Sequence, residues 1–245
     1  MLLFYHIGRY ILLLKTIFTR PENARLLVKR TFYEMNSIGI ESLGIVTMIS
    51  VFMGMVMTIQ SAYQLVSPLL PHSVFGSVVS NSALLEFSST VTALILAGRV
   101  GSNISSELGN MKISEQIDAL EAMGINSANY LILPKIIGGL IVFPLLVILS
   151  AFLCICGGMV IGSFLDIVSY SDFIYGAQSS FETFSLVFAL IKAITFSFII
   201  TSVSAYNGFF VKGGSLEVGK ASTRAVVHSS ILILLFDYLL SQLLL

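Results

Sequence analysis

Hydrophobic positions fall in long blocks along this chain, and polar ones collect between them. Five blocks reach the roughly 20 residues a helix needs to cross a bilayer at about 1.5 Å rise per residue. They run from about Ile40 to Val66, Leu84 to Ile104, Ile136 to Leu165, Phe184 to Tyr206 and Ala225 to Leu245. The first and third exceed that minimum and are expected to tilt or bend, and Pro144 offers the third a bending point. The second is the most diluted, by Ser88, Ser89, Thr90 and Thr92.

Ahead of these blocks the period changes. MLLFYHIGRYILLLKTIF places Leu3, Ile7, Ile11, Leu14 and Phe18 on one helical face, with His6, Arg9, Thr16 and Arg20 opposite. This is the pattern of a helix lying in the membrane interface. A signal peptide is the rival reading, but no small-residue cleavage site follows; RPENARLLVKR does, with Pro21 suited to the first turn of a new helix. The expected organisation is an N-terminal helical region over 1–39 and a five-span domain over 40–245.

Composition agrees. The chain is 56% hydrophobic and 11% charged, far from the roughly 25% charged residues of a soluble domain, and its mean hydropathy is +0.95. Thirteen bases cancel thirteen acids, so net charge points to no nucleic-acid partner. Position matters more. Six bases precede the first block (Arg9, Lys15, Arg20, Arg25, Lys29, Arg30), Arg99, Lys112 and Lys135 bracket or occupy the segment after the second, and Lys212, Lys220 and Arg224 follow the fourth. The loops over 67–83 and 166–183 hold none. By the positive-inside rule this predicts a cytoplasmic N-terminus and a periplasmic C-terminus. Lys192 is the exception, inside the fourth block. Cys154 and Cys156 lie in an apolar run and read as buried thiols.

One polar segment has a pattern of its own. SEQIDALEAMG, 114–124, reads as a short helix with Ser114 as its N-cap, Glu115 and Asp118 at the positive end of its dipole, and Gly124 as its stop. Ile117, Leu120 and Met123 share a face, flanked by Glu115, Asp118 and Glu121. Three acids and no base suit a negative membrane surface poorly. A groove on another protein, lined with basic and apolar groups, fits better; the plain alternative is a solvated connector.

GSLEVGKA, 214–221, meets seven of the eight positions of the phosphate-loop pattern, but Ala221 stands where the hydroxyl that holds magnesium is required, and no strand precedes it. Any ATP and magnesium are therefore expected on a partner chain, with no cofactor in this one. His6, His72 and His228 are isolated from one another, and no nucleophile has a base at motif spacing. The chain is not expected to be an enzyme.

The run TALILAGRVGSNISSELGNMKISEQIDALEAMGIN closely resembles the central signature of MlaE-type permeases, the membrane subunits of ABC transporters that carry phospholipids between bacterial inner and outer membranes. NGFFVKGGSLEVGKASTRAVVHSS, 207–230, and Asp237 extend the resemblance, which covers about residues 40–240. It implies an all-α membrane protein of the bacterial inner membrane, with an N-terminal interfacial helix, five transmembrane helices and a cytoplasmic coupling helix. It also implies a homodimer, a cytoplasmic ATPase, a periplasmic ring of MCE-domain protein and a small STAS-domain regulator. Residues 114–124 would be the coupling helix, docking on the ATPase through Glu115, Ile117, Asp118, Leu120 and Glu121. Many members carry Arg-Glu-x-Gly-Pro at the outer start of the second span. Here Glu86 is kept, but Leu85 replaces the Arg and Ser88-Ser89 replace Gly-Pro, so Glu86 loses its adjacent positive partner.

Charges inside a bilayer cost about 3 kcal/mol on insertion scales unless paired or wet. Lys192 lies about 12 Å below one surface and Asp237 about 18 Å above the other at helical rise, so in a core of about 30 Å the two can meet. They form either a structural pair or, with Glu86, part of a headgroup site on the lipid path. Gly158 and Gly162 form a G-x-x-x-G compatible with close helix approach. Two other functions compete: an ion-coupled secondary transporter relaying protons through Glu86, Lys192 and Asp237, although no internal repeat supports it, and a non-transporting scaffold.

Overall fold

A computed structural model of the chain describes residues 2–19, 24–64 and 71–244. Arg20, Pro21 and the side chains of Leu3 and Phe18 lie outside the described residues. Among the described residues all regular structure is helical, as a chain in lipid requires, because a helix satisfies its backbone groups within one segment. Helix α1 spans Leu2–Thr19, α2 Ala24–Gln64, and α3 Ser73–Ile113. A short α4, Gln116–Ala122, follows, then α5 Ser127–Phe164, α6 Tyr170–Ser179, α7 Thr183–Phe209 and α8 Ser215–Leu244. Helices α2, α3, α5, α7 and α8 are long and apolar enough to cross a membrane.

The spans match the five apolar blocks, but the helices overrun them. Helix α2 begins at Ala24 because the polar stretch before Ile40 still buries Thr31 and Ile38. Helix α3 begins at Ser73, and the serines and threonines that dilute its pattern face protein: Ser80, Ser88, Ser89 and Thr92 are all buried. Two stretches of α3, Ala83–Val91 and Ala97–Gly101, are wound as π-helix, a geometry frequent at functional sites.

The chain divides into two compact units. Unit 1 comprises Met1–Ser42, Leu96–Val142 and Phe196–Phe236; unit 2 comprises Leu43–Ile95, Phe143–Thr195 and Asp237–Leu245. Twelve of the thirteen bases belong to unit 1, and Lys192 alone to unit 2.

In unit 1, α1 turns its polar face to protein. His6 Nδ1 pairs with the Tyr206 hydroxyl at 2.8 Å, Tyr10 with Ser202 at 2.7 Å, and the Arg9 guanidinium lies 3.7 Å over the Phe210 ring. Leu13 and Ile17 are buried, while Ile7, Ile11 and Leu12 stay exposed. The apolar stripe through Ile7 and Ile11 is therefore left exposed, and the side that meets protein combines His6, Arg9 and Tyr10 with the buried Leu13 and Ile17. The amides of Asn126 and Asn129 donate to the carbonyls of Thr16 and Ile17 at 2.9 and 2.5 Å, satisfying acceptors that the end of α1 leaves open.

In unit 2, α2 and α5 approach at backbone distance. A Cβ on Gly54 would collide with the Cys154 carbonyl, and one on Gly157 with the Val51 carbonyl. Gly158, the first glycine of the G-x-x-x-G, faces Thr58 of the same subunit. Cys154 is buried and Cys156 half-buried, both as free thiols.

Substituting Gly157 by Val should lower stability by about 1–3 kcal/mol, the usual cost of overpacking. Gly98→Ala, where a Cβ meets nothing within 4 Å, should leave it nearly unchanged. Thermal unfolding of both variants in detergent checks the contrast; equal midpoints would refute the close α2–α5 contact.

Candidate functional site

Two features of the structure can do chemistry or transmit force, one in each unit. The first is the break between α3 and α4 in unit 1. Ser114 ends α3 and does not cap α4: its hydroxyl donates to the Asn110 carbonyl at 2.8 Å, and Glu115 takes the N-cap position with a left-handed φ of 61°. The expected Ser114 cap is thus corrected, because the back-bond within α3 claims the hydroxyl first. A non-glycine residue at positive φ costs of order 1–3 kcal/mol and is retained where surrounding structure demands it. Across this break Lys112 and Asp118 pair at 2.5 Å.

Helix α4 ends as expected. Gly124 adopts φ 78°, its N–H donating to the Glu121 carbonyl and that of Ile125 to the Leu120 carbonyl, the double closure of a Schellman cap. Of the face read as apolar, Ile117 is fully buried in unit 1, Leu120 is half-buried and Met123 is exposed. Ile117 therefore anchors α4, and the surface offered outward is Glu115, Asp118, Leu120 and Glu121. Glu121 is held in turn by the Ser127 hydroxyl at 2.6 Å.

The second feature lies in unit 2. Lys192 of α7 is fully buried: its ammonium donates to Glu86 Oε1 at 3.0 Å and to the Leu85 carbonyl at 3.2 Å, and forms an ion pair with Asp237 Oδ1 at 2.7 Å. Thr90 donates to Asp237 at 3.1 Å and Ser241 to Glu86 at 3.3 Å, while the Phe188 ring lies 4.5 Å from Nζ. The three candidate charges are brought together. The positive partner that Leu85 does not supply to Glu86 from the adjacent position comes instead from α7. Of the three groups Glu86 is the open one, with 44% of its side chain exposed against 16% for Asp237.

A third cluster went unread in the sequence. Lys135, counted there only for orientation, is 2% exposed and lies 2.8 Å from Glu34 and 2.7 Å from Glu107. Nearby, Arg99 donates to Ser42 at 2.6 Å and to Glu41 at 3.1 Å. The available signal was Glu34 and Glu41 themselves, two acids seven residues apart on one face of an apolar helix.

Comparison with known proteins agrees with this architecture. A family model described as Permease MlaE matches residues 31–243. A probable ABC transporter permease protein of Rickettsia bellii is 35% identical over 228 residues, covering 93% of this chain and 86% of its own length. The intermembrane phospholipid transport system permease protein MlaE of Haemophilus influenzae is 33% identical over 217 residues, or 88% of this chain and 81% of its own. The chloroplastic protein TRIGALACTOSYLDIACYLGLYCEROL 1 of Arabidopsis thaliana is 32% identical over 223 residues, 87% of this chain and 61% of its own.

The Lys192 cluster carries its own test. Lys192→Met strands two carboxylates and should lower stability by about 3–5 kcal/mol, as breaking a buried pair does. Adding Asp237→Asn removes the more buried stranded charge and should recover part of the loss. Unfolding of the single and double variants in detergent reads both effects, and a single variant as stable as the parent would refute the cluster.

Proposed function

The chain belongs to the MlaE permease family, and on that premise we propose that it is the membrane subunit of an ABC transporter that moves phospholipids between two membranes, driven by ATP and magnesium on a separate ATPase. The chain is a multi-pass membrane permease; lipid, partners and orientation are the proposed part. The name of the Haemophilus influenzae relative supports the phospholipid assignment.

The observation that carries the coupling role is α4. It is short, acidic on its open side, anchored from beneath by the fully buried Ile117 and joined to α3 through a short strained junction that the solvent-exposed Lys112–Asp118 pair spans. A force applied to such a helix passes into α3 instead of being absorbed by a flexible loop. The docking surface is Glu115, Asp118, Leu120 and Glu121, with Ile117 acting from within. A basic and apolar groove on the ATPase is its complement.

The remaining assignments follow the same premise. The concentration of bases in α1 and the first turns of α2, towards the end of α3 and the start of α5, and from the end of α7 into the start of α8 supports a cytoplasmic N-terminus and a periplasmic C-terminus in the bacterial inner membrane. Helix α8 exposes Ile231, Leu234, Leu235 and Leu239, apolar surface available to lipid or to the second copy of a homodimer. An MCE-domain protein on the periplasmic side and a STAS-domain protein on the cytoplasmic side complete the proposed assembly. Glu86 is the group of the Lys192 cluster that a headgroup on the lipid path can reach, with Lys192 and Asp237 setting its position.

The docking claim is tested by purifying the intact assembly in mild detergent and measuring how much ATPase is retained. Asp118→Lys combined with Leu120→Ala should weaken retention about tenfold or more, as loss of an interface hot spot does. Full retention by this variant would sink the coupling assignment.

A further inference from the structure

Unit 1 contains a polar crevice of about 380 Å³, lined by Glu34, Ser37 and Glu41 of α2, Arg99 and Asn103 of α3, and Lys135 of α5. This volume falls in the range of small-ligand sites. Its floor is fixed. Lys135 is buried and its ammonium is held by Glu34 and Glu107, so it offers no free charge to a ligand and positions the carboxylate of Glu34.

The mouth is different. Arg99 and Glu41 meet at 3.1 Å, but their side chains are 31% and 57% exposed. An ion pair so open to solvent contributes little to stability and separates readily. Arg99 also sits on the second π-helical stretch, and its guanidinium has further donors beyond those used on Ser42 and Glu41. Beside Glu41, Ile40 is exposed, giving the mouth an apolar flank.

We propose that this crevice binds a zwitterionic phosphoethanolamine group, its phosphate on Arg99 and its ammonium between Glu41 and Glu34. The inference deepens the phospholipid reading above and rests on it for the source of the group. A zwitterion brings one charge of each sign, so it replaces a weak exposed pair with two complementary pairs and leaves the local charge balance unchanged. Arginine suits the phosphate because its planar fork matches two oxygens at once. The surrounding charges discriminate between headgroups. In the lining Glu34 and Glu41 balance Arg99 and Lys135, so a purely anionic headgroup such as phosphoglycerol brings no cation for the carboxylates, whereas ethanolamine brings one. A choline group has no N–H to donate to the carboxylates, and the lining holds no aromatic ring to receive its quaternary ammonium. Ethanolamine is the headgroup that uses every feature of the crevice.

The test uses the intact complex, delipidated in detergent and examined by native mass spectrometry after adding back dioleoyl phosphatidylethanolamine, phosphatidylcholine or phosphatidylglycerol, or water-soluble glycerophosphoethanolamine. Phosphatidylethanolamine should bind in preference to the other two lipids, and Arg99→Gln should weaken it about tenfold, as loss of a charged hydrogen bond does. Gly98 lines the crevice and a Cβ there meets nothing within 4 Å, so Gly98→Leu puts apolar bulk into the crevice while keeping every charged residue, and it should weaken binding to a similar degree. This second variant decides the matter where Arg99→Gln fails to fold. Binding of the lipid but not of glycerophosphoethanolamine supports the site and assigns it to membrane lipid; equal binding of both supports it and assigns it to the free headgroup. No preference over phosphatidylglycerol, or unchanged binding in Gly98→Leu, overturns the site. ATP-driven transfer of labelled phospholipid is measured on the same preparations. Transfer without this binding removes the crevice and leaves the transporter standing, whereas binding without transfer does the reverse.

Discussion

An ammonium group buried inside a helical membrane protein is costly unless protein carboxylates and carbonyls hold it. That constraint organises both units. In unit 2, Lys192 is held by two carboxylates and a backbone carbonyl; in unit 1, Lys135 is held by two carboxylates. Each cluster ties together side chains from three helices, α3, α7 and α8 in one case and α2, α3 and α5 in the other. Apolar packing is non-directional and would tolerate slippage of a helix along its axis. An ion cluster does not, since a shift of a single turn would strand a buried charge. The register of the long helices is therefore set by a few charged residues embedded in a mainly apolar sequence.

Small residues do the complementary work. Gly54 and Gly157 bring α2 and α5 to backbone distance, and hydroxyls that would be costly in lipid are turned onto neighbours, as Ser50 and Thr92 are onto Ser150 at 2.8 and 3.0 Å. Many serines and threonines also return their hydroxyl to the carbonyl one turn earlier, as Ser42 and Thr58 do. Such groups lower the apparent hydropathy of a span without exposing anything polar to lipid. This is why α3 gives the weakest apolar signal of the five long helices and is nevertheless continuous.

What was legible in the sequence follows the range of each interaction. The five spans and the acidic helix were readable because apolar run length and helical period are local quantities. The Lys192–Asp237 pair was readable from depth alone, since position along a span fixes height in a bilayer. The Lys135 cluster was not, because Glu34 precedes the apolar block and its height could not be counted from a span end. The Ser114 cap failed on a local competition, where the same hydroxyl had a carbonyl of α3 within reach. The packed face of α1 needed knowledge of a partner: the period showed an amphipathic helix, and only Tyr206, Ser202 and Phe210 show which side meets protein.

The Lys192 cluster also bears on how the chain is made. Synthesis runs from the N-terminus, so α3 and its Glu86 are already in the bilayer when α7 emerges carrying a charge that costs about 3 kcal/mol to insert alone. Glu86 can receive that charge on arrival. Asp237 follows in the last helix and brings a second opposite charge, so α8 enters against a site with one carboxylate already in place. Insertion of the two charged helices is in this way assisted by chain order, with the first carboxylate acting as a temporary host and the last as the closing ligand.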